Sequence, residues 1–211
     1  MLPKEQLIEL WISSGTIKDK KVIEAFKQIP RELFIKKEHQ GEAYGDYPLS
    51  IGEGQTISQP TTVMLMTQAL ELKEGDKVLE VGAGSGYQAA IISKIIGDNG
   101  KLISTEIIKK LAGFAKDNIK KLKLKNIKII NYDGSRGYEK EAPYDGIIIT
   151  AACPKIPKPL INQLKENGII AAPVGDMNEQ AMVKGKKKNG KLTEEILGEF
   201  MFVPMKGKYG Y

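Results

Sequence analysis

A glycine-rich loop follows a short apolar run that carries one acid. Residues 78–88 read VLEVGAGSGYQ, which places an acid at Glu80 and glycines at Gly82, Gly84 and Gly86. Glycine permits positive φ angles and a close approach of the backbone to a ligand. A helix that begins behind such a loop offers unpaired N–H groups. The order of strand, glycine loop and helix therefore predicts the first half of a nucleotide-binding βαβ unit.

The spacing of the glycines distinguishes two kinds of nucleotide cofactor. A dinucleotide-binding loop of the form G-x-G-x-x-G needs a glycine at position 87, where this chain has Tyr87. An acid two residues before the first glycine instead resembles the first motif of the class I S-adenosyl-L-methionine (SAM) methyltransferases. The alternatives at this point are a glycine-rich turn without a cofactor and a nicotinamide site with a variant loop.

Three acids lie at the ends of three successive apolar runs that we interpret as strands. In open α/β sheets, ligands bind at the carboxyl ends of the strands. We expect Glu80 to meet the amino group of the ligand, directly or through water, and Glu106 to accept hydrogen bonds from both ribose hydroxyls. Asp133 is expected to accept a hydrogen bond from the adenine amino group. A ribose-binding acid fits SAM and NAD equally, so Glu80 and the absent third glycine favour SAM.

The composition indicates the cellular compartment and the kinds of binding partner. A chain of 211 residues predicts one domain, or one domain with a small lobe. Cys153 is the only cysteine, which excludes an internal disulfide and agrees with a reducing compartment. We expect a cytoplasmic protein, because the start does not resemble a signal peptide and no run reaches transmembrane length. The net charge of +6 comes almost entirely from lysine, whereas phosphate and guanine contacts favour arginine, so no specific nucleic-acid partner is expected.

The remaining pattern predicts an α/β fold. Helices are expected over residues 3–11, after a cap at Asp19, and from residue 63 to 70. Apolar runs that alternate with helices predict a doubly wound, mostly parallel sheet. Asn189 and Gly190 indicate a hairpin, which predicts two antiparallel strands at one edge and seven strands in total: 78–81, 101–105, 127–130, 144–150, 169–174, 181–184 and 196–203. We expect one Rossmann-like domain over residues 1–211, with a helical cap and substrate loop (1–60) packed on a core (61–211).

Residues 41–60 are punctuated by glycine and proline and are therefore predicted to be mostly loop. A long loop within a compact domain is usually functional or disordered. Ser58 lies in this segment, two residues before Pro60. Ser58 is either the N-cap of the following helix or a functional residue, and both interpretations stay open here.

Several stretches together resemble the protein-L-isoaspartate O-methyltransferase family. The similarity runs from about residue 20 to residue 208 and is carried by residues 29–34 (IPRELF), 48–60 (PLSIGEGQTISQP), 78–88, 142–152 (APYDGIIITAA) and 202–205 (FVPM). Residues 48–60 are its specific part, because the glycine motif is shared by many methyltransferases. The resemblance implies transfer of the methyl group of SAM to the free carboxylate of L-isoaspartyl residues in damaged proteins and peptides. The ester would then close to a succinimide, and S-adenosyl-L-homocysteine would be the second product.

The resemblance also implies roles for individual residues. Ser58 would hydrogen-bond the substrate carboxylate and is the catalytic position, with Gln55, Thr56 and Ile57 at the junction of cofactor and substrate. Thr61 replaces an aromatic residue or histidine of the family pattern, which leaves its cofactor contact open. The other positions implied to hold SAM are Glu80, Gly82, Ala83, Gly84, Glu106, Asp133 and Gly134.

The chemistry of this reaction agrees with a chain that has one histidine. The nucleophile is a carboxylate that is already ionised near neutral pH, so neither a general base nor a metal is required. The main alternative is a SAM-dependent methyltransferase that acts on RNA or on a small molecule, since one fold serves many substrates. A third interpretation is a non-catalytic protein that retains the SAM pocket.

Overall fold

The computed structural model describes residues 3–211. Six α-helices and nine strands follow one another in the order α1 Lys4–Ser14, α2 Lys20–Gln28, β1 Leu49–Gly52, β2 Gln55–Ile57, α3 Pro60–Ala69, β3 Lys77–Val81, α4 Tyr87–Ile96, β4 Lys101–Glu106, α5 Lys109–Lys121, β5 Ile127–Asn131, β6 Tyr144–Ile149, α6 Lys158–Gln163, β7 Leu164–Gly175, β8 Gln180–Lys188 and β9 Lys191–Phe200.

The main sheet has seven strands in the order β5-β4-β3-β6-β7-β8-β9. Strands β5 to β7 pair in parallel, and β8 and β9 add antiparallel strands at one edge. The predicted fold class is therefore confirmed. Since β3 is the first of the parallel strands and has β4 on one side and β6 on the other, the chain reverses its direction of winding at β3. Ligands bind at such a switch point in open α/β sheets.

The last strand differs from its prediction. It was expected over residues 196–203, but β9 begins at Lys191 and ends at Phe200. Asn189 and Gly190 both have positive φ, and Lys188 pairs directly with Lys191. A two-residue turn of this kind continues the ladder at once, so the strand begins five residues earlier than predicted and residues 201–203 lie beyond it.

Helices cover both faces of the sheet. The side chains of each buried strand alternate between these faces and belong to two apolar clusters, one on each face. Val78 and Leu102 belong to the cluster that contains residues of α1 to α5. Leu79 and Ile103 belong to the second cluster, which includes Leu160 of α6. Trp11 of α1 packs edge-to-face on Phe26 of α2 at a centroid distance of 4.7 Å, within the first cluster. Asp19 caps α2 as predicted, since its carboxylate accepts a hydrogen bond from Lys21 N at 2.8 Å.

The segment before α3 contains more regular structure than predicted. Residues 41–60 were expected to be mostly loop, but β1 and β2 form an antiparallel hairpin in which Leu49 pairs with Ile57 and Ser50 pairs with Thr56. The turn between them has positive φ at residues 53 and 54. Leu49, Ile51 and Ile57 are buried, which fixes the hairpin on the core. No helix among residues 3–211 has the length and apolarity needed to span a membrane.

Candidate active site

One cavity lies at the carboxyl ends of β3, β4 and β6. It contains about 890 Å³ of space between atoms, part of which is open to solvent. Its wall includes four segments that are distant in sequence. They are the end of the β1–β2 hairpin with residues 57 and 58, the glycine loop 82–86, the residues around Glu106, and residues 203–206 near the C-terminus.

The glycine loop has the backbone conformation that its sequence predicts. Gly82 has a φ of +102°, and a Cβ atom there would lie 2.5 Å from the Thr150 hydroxyl. The N–H groups of Gly82 and Ala83 donate to the Thr105 carbonyl at 2.9 and 3.0 Å, which ties the loop to the end of β4. Only glycine fits position 82, because a side chain would meet both a strained φ and an occupied space.

Glu106 ends β4 inside the cavity. Its carboxylate accepts hydrogen bonds from Gly84 N and Ile108 N, both at 2.9 Å, and the residue is only 6% exposed. An ionised carboxylate has about four lone-pair sites, so two acceptor positions are left for a ligand. This arrangement suits the two hydroxyls of a ribose.

Glu80 is fully buried behind the loop. One carboxylate oxygen accepts a hydrogen bond from the Ser104 hydroxyl at 2.5 Å, and the other has no partner among the described residues. Burial raises the pKa of Glu80 to about 8, and the neighbouring Glu106 charge acts in the same direction. A buried carboxylate oxygen without a partner favours a cationic donor such as the amino group of SAM, which would satisfy it and stabilise the ionised form.

The end of the β1–β2 hairpin and the residue that follows it belong to the same cavity. Gln55, Thr56, Ile57 and Ser58 all line it. The N-cap of α3 is Gln59, so the interpretation of Ser58 as a helix cap is wrong. The Ser58 hydroxyl makes no hydrogen bond to any other residue in the range 3–211, which leaves it available for a substrate.

Three predicted cofactor residues, Glu80, Asp133 and Thr61, do not line the cavity, and the contact of Glu80 with the ligand amino group stays a prediction. Both oxygens of Asp133 are occupied, by Ser135 N and Oγ at 3.1 and 2.6 Å, Arg136 Nε at 3.1 Å and Lys208 N at 3.0 Å. Burial alone would raise the pKa of Asp133, but these hydrogen bonds hold it below its usual value. Its neighbour Gly134 does line the cavity. The contact of Asp133 with adenine stays a prediction.

Thr61 is held by other side chains. Its hydroxyl accepts a hydrogen bond from Trp11 Nε1 and donates one to Asp46, both at 2.7 Å. Its N–H also donates to Asp46, at 2.9 Å. Direct binding of the cofactor by Thr61 therefore stays a prediction, although the residue clearly helps to fix the turn that follows Ser58.

Sequence reasoning missed the contribution of the C-terminal segment. Val203, Pro204, Met205 and Lys206 line the cavity. Two hydrogen bonds with Ala152 hold this segment in place, from Ala152 N to Val203 O at 2.8 Å and from Met205 N to Ala152 O at 2.7 Å. The motif at residues 202–205 contributes to the family resemblance, but its sequence alone does not indicate that it reaches the site.

Cys153 does not take part in this chemistry. Its side chain is fully buried, and burial raises the pKa of the thiol to about 12. A buried thiol of this kind is inert as a nucleophile. Residues 3–211 contain no group of three or more His, Cys, Asp or Glu side chains that could hold a metal ion.

The fold and the site define a class of enzyme. A seven-stranded sheet with two antiparallel strands at one edge, a glycine loop after β3 and an acid at the end of β4 together form the cofactor half of a class I SAM-dependent methyltransferase.

Comparison with known proteins identifies the family within this class. The family model described as Protein-L-isoaspartate(D-aspartate) O-methyltransferase (PCMT) matches residues 2–210. Protein-L-isoaspartate O-methyltransferase 2 of Archaeoglobus fulgidus is 50% identical over 192 residues, which are 91% of this chain and 88% of that protein. The protein-L-isoaspartate O-methyltransferase of Methanococcus aeolicus is 45% identical over 98% of this chain and 95% of its own length. The chain belongs to the protein-L-isoaspartate(D-aspartate) O-methyltransferase family.

Solved structures agree with this result. A protein-L-isoaspartate O-methyltransferase superposes with a TM-score of 0.90 at 31% identity, over 99% of this chain and 67% of the other. A Plasmodium falciparum structure of the same description, in complex with S-adenosyl-L-homocysteine, superposes with a TM-score of 0.84 at 29% identity, over 98% of this chain and 99% of the other.

Proposed function

We infer that this chain transfers the methyl group of SAM to the free carboxylate of L-isoaspartyl residues in proteins and peptides, and that Ser58 holds this carboxylate during transfer. The observation that supports the inference is the shared cavity. Residues 55–58 line the same cavity as the glycine loop, so the carboxylate would be held beside the cofactor.

The role proposed for Ser58 is to orient the nucleophile. SAM brings a methyl group on a sulfonium sulfur, which needs no further activation by the protein. The Ser58 hydroxyl donates a hydrogen bond to one carboxylate oxygen and leaves the other free to attack. The carboxylate is ionised at neutral pH, so no side chain has to remove a proton. Alignment of the reacting atoms and exclusion of water by Ile57 and Val203 would then supply most of the rate enhancement.

The cofactor would be held by the residues around the glycine loop. Glu106 accepts from the ribose hydroxyls, Glu80 accepts from the amino group, and Gly82 to Gly84 with Gly134 let the backbone approach the ligand. Asp133 and Thr61 are proposed to contribute through the segments that they anchor, because their polar atoms already have partners. The single buried cysteine supports a cytoplasmic location, and we propose neither a nucleic-acid nor a membrane partner.

A comparison of two peptides tests this function. Labelled SAM is offered with peptides that differ only in containing L-isoaspartate or L-aspartate at one position. We expect transfer to the L-isoaspartyl peptide alone. Equal transfer to both peptides, or to neither, would refute the proposal. In the second case, transfer to RNA or to a small molecule would support the alternative substrate classes. β6 is followed by Thr150-Ala151-Ala152-Cys153, which lacks the Asp/Asn-Pro-Pro-Tyr/Phe pattern of adenine methylation.

A further inference from the structure

Arg31 is a fully buried cation close to the substrate side of the cavity. Its side chain has no exposed surface. No carboxylate lies within 4.0 Å of its guanidinium in the described part of the chain. Its N–H groups donate to three backbone carbonyls instead, those of Ala43, Tyr47 at 3.4 Å and Ser58 at 3.0 Å, while Nε has no partner.

This environment is unusual for an arginine. Buried charges in proteins are normally paired with an opposite charge, because desolvation of an unpaired ion is expensive. Burial lowers the pKa of the guanidinium, but arginine stays protonated in proteins. Three carbonyl dipoles and the charge of Asp46, which lies beyond ion-pair distance, offset part of the positive charge, and an anion bound beside Ser58 would offset more of it.

The contacts of Arg31 lead directly to Ser58. Arg31 begins the 3₁₀ helix Arg31–Phe34, and its planar guanidinium joins the loop at residues 43–47 to the end of the hairpin. The bond to the Ser58 carbonyl fixes the main chain of the residue that is proposed to hold the substrate.

Asp46 holds the far end of the turn from Ser58 to Thr61. Its carboxylate accepts from Thr61 N at 2.9 Å, from the Thr61 hydroxyl at 2.7 Å and from Gln59 Nε2 at 3.4 Å. The turn from Ser58 to Thr61 is therefore held at one end by a buried cation and at the other by a carboxylate. The cation is at the end that carries Ser58.

We propose that Arg31 is a positioning residue for carboxylate methylation, which fixes the Ser58 main chain and supplies a positive charge behind the binding site of the isoaspartyl carboxylate. Charges interact more strongly in a buried site than in water, so an anionic substrate gains from this charge and a neutral one does not. The proposal rests on the proposed function, since it needs an anionic methyl acceptor beside Ser58.

Two substitutions separate the charge from the geometry. Arg31→Met removes both, and Arg31→Lys keeps the charge but loses the planar fork that reaches three carbonyls. Lys184→Met is the matched control, because it also removes one positive charge, from a surface ion pair with Glu71 at 2.6 Å outside the cavity. Rates are expressed per S-adenosyl-L-homocysteine-binding site, so that a partly unfolded preparation does not lower the apparent activity.

We expect Arg31→Met to lower kcat/KM for an L-isoaspartyl peptide on the order of 10²-fold, as a displaced reacting group does. The Kd for S-adenosyl-L-homocysteine should change by no more than about twofold, as for sites without shared partners. Arg31→Lys should recover part of the loss in KM but little of the loss in kcat. Lys184→Met should behave as the wild type.

A binding experiment tests the charge itself. Competitive inhibition is measured with a peptide that carries a free isoaspartyl carboxylate and with the same peptide as its amide. The wild type and Arg31→Lys should prefer the acid, and Arg31→Met should lose this preference. The proposal is overturned if the preference is unchanged in Arg31→Met, or if the rate per cofactor-binding site equals that of the wild type, since Arg31 would then only support the fold. A wild-type chain that does not distinguish L-isoaspartate from L-aspartate refutes the proposed function instead.

Discussion

Cofactor binding should release a proton from Glu80. In the ligand-free protein the pKa of this buried carboxyl is raised to about 8, so at pH 7 it is mostly neutral. If the cofactor amino group binds to the free oxygen, its positive charge favours the ionised carboxylate and lowers the pKa. The free protein holds the proton and the complex does not, so a higher pH favours cofactor binding.

The pKa of Glu80 determines how many protons are released on binding and how strongly the Kd depends on pH. A group with a pKa of about 8 is about nine-tenths protonated at pH 7, so binding should release about 0.9 proton if the pKa in the complex returns to its ordinary range. The Kd for S-adenosyl-L-homocysteine would then fall about 50-fold as the pH rises from 6 to 8. The fall would be steeper below pH 7 than above it.

Calorimetry measures both quantities. Titrations with S-adenosyl-L-homocysteine at pH 7, in buffers that differ in ionisation enthalpy, give the number of protons released. Glu80→Gln is the control, because it keeps the shape of the side chain and cannot titrate, so any protons from the ligand itself remain in the variant. Equal proton release from the wild type and Glu80→Gln, or a Kd that does not depend on pH, would refute the assignment of Glu80 to the amino group.

Three further substitutions test the remaining parts of the site. Ser58→Ala should lower kcat/KM for an L-isoaspartyl peptide by about 10- to 100-fold, the value of one hydrogen bond to a charged group, with little change in cofactor Kd; unchanged turnover in a peptide assay would exclude the role of Ser58. Glu106→Ala should raise the Kd for S-adenosyl-L-homocysteine on the order of 10²-fold in calorimetry, because two ribose hydrogen bonds are lost, and wild-type affinity would contradict this. Gly82→Ala should destabilise the fold by about 1–3 kcal/mol through its positive φ. The loss would lower the Tm by about 3–10 °C in thermal unfolding, and an unchanged Tm would show that the loop adapts without strain.

The parts of the site that could be predicted from the sequence are local. Glu80 lies within an apolar run and Glu106 directly follows one, so their place on the sheet, near the strand ends where ligands bind, needed only the strand pattern. Gly82 and Gly84 lie on the same short segment as Glu80. For these residues, the elements that carry them already determine where they lie in the folded chain.

The parts that could not be predicted depend on contacts between distant segments. Nothing in the pattern around Arg31 indicates that its guanidinium reaches the Ser58 carbonyl, 27 residues away. Likewise, the pairing of Met205 with Ala152 follows from the path of the chain after β9, whose bounds were themselves predicted wrongly. The β1–β2 hairpin was missed because strands of four and three residues are too short to show a period in the sequence.

The hydrogen bond from Trp11 to Thr61 has a spectroscopic consequence. Trp11 is the only tryptophan in the chain, and its buried indole N–H donates to the hydroxyl three residues after Ser58. Fluorescence excited in the indole band therefore comes from a single place, the back of the turn that carries Ser58. The emission of this protein is an intrinsic, label-free signal from the substrate side of the cavity.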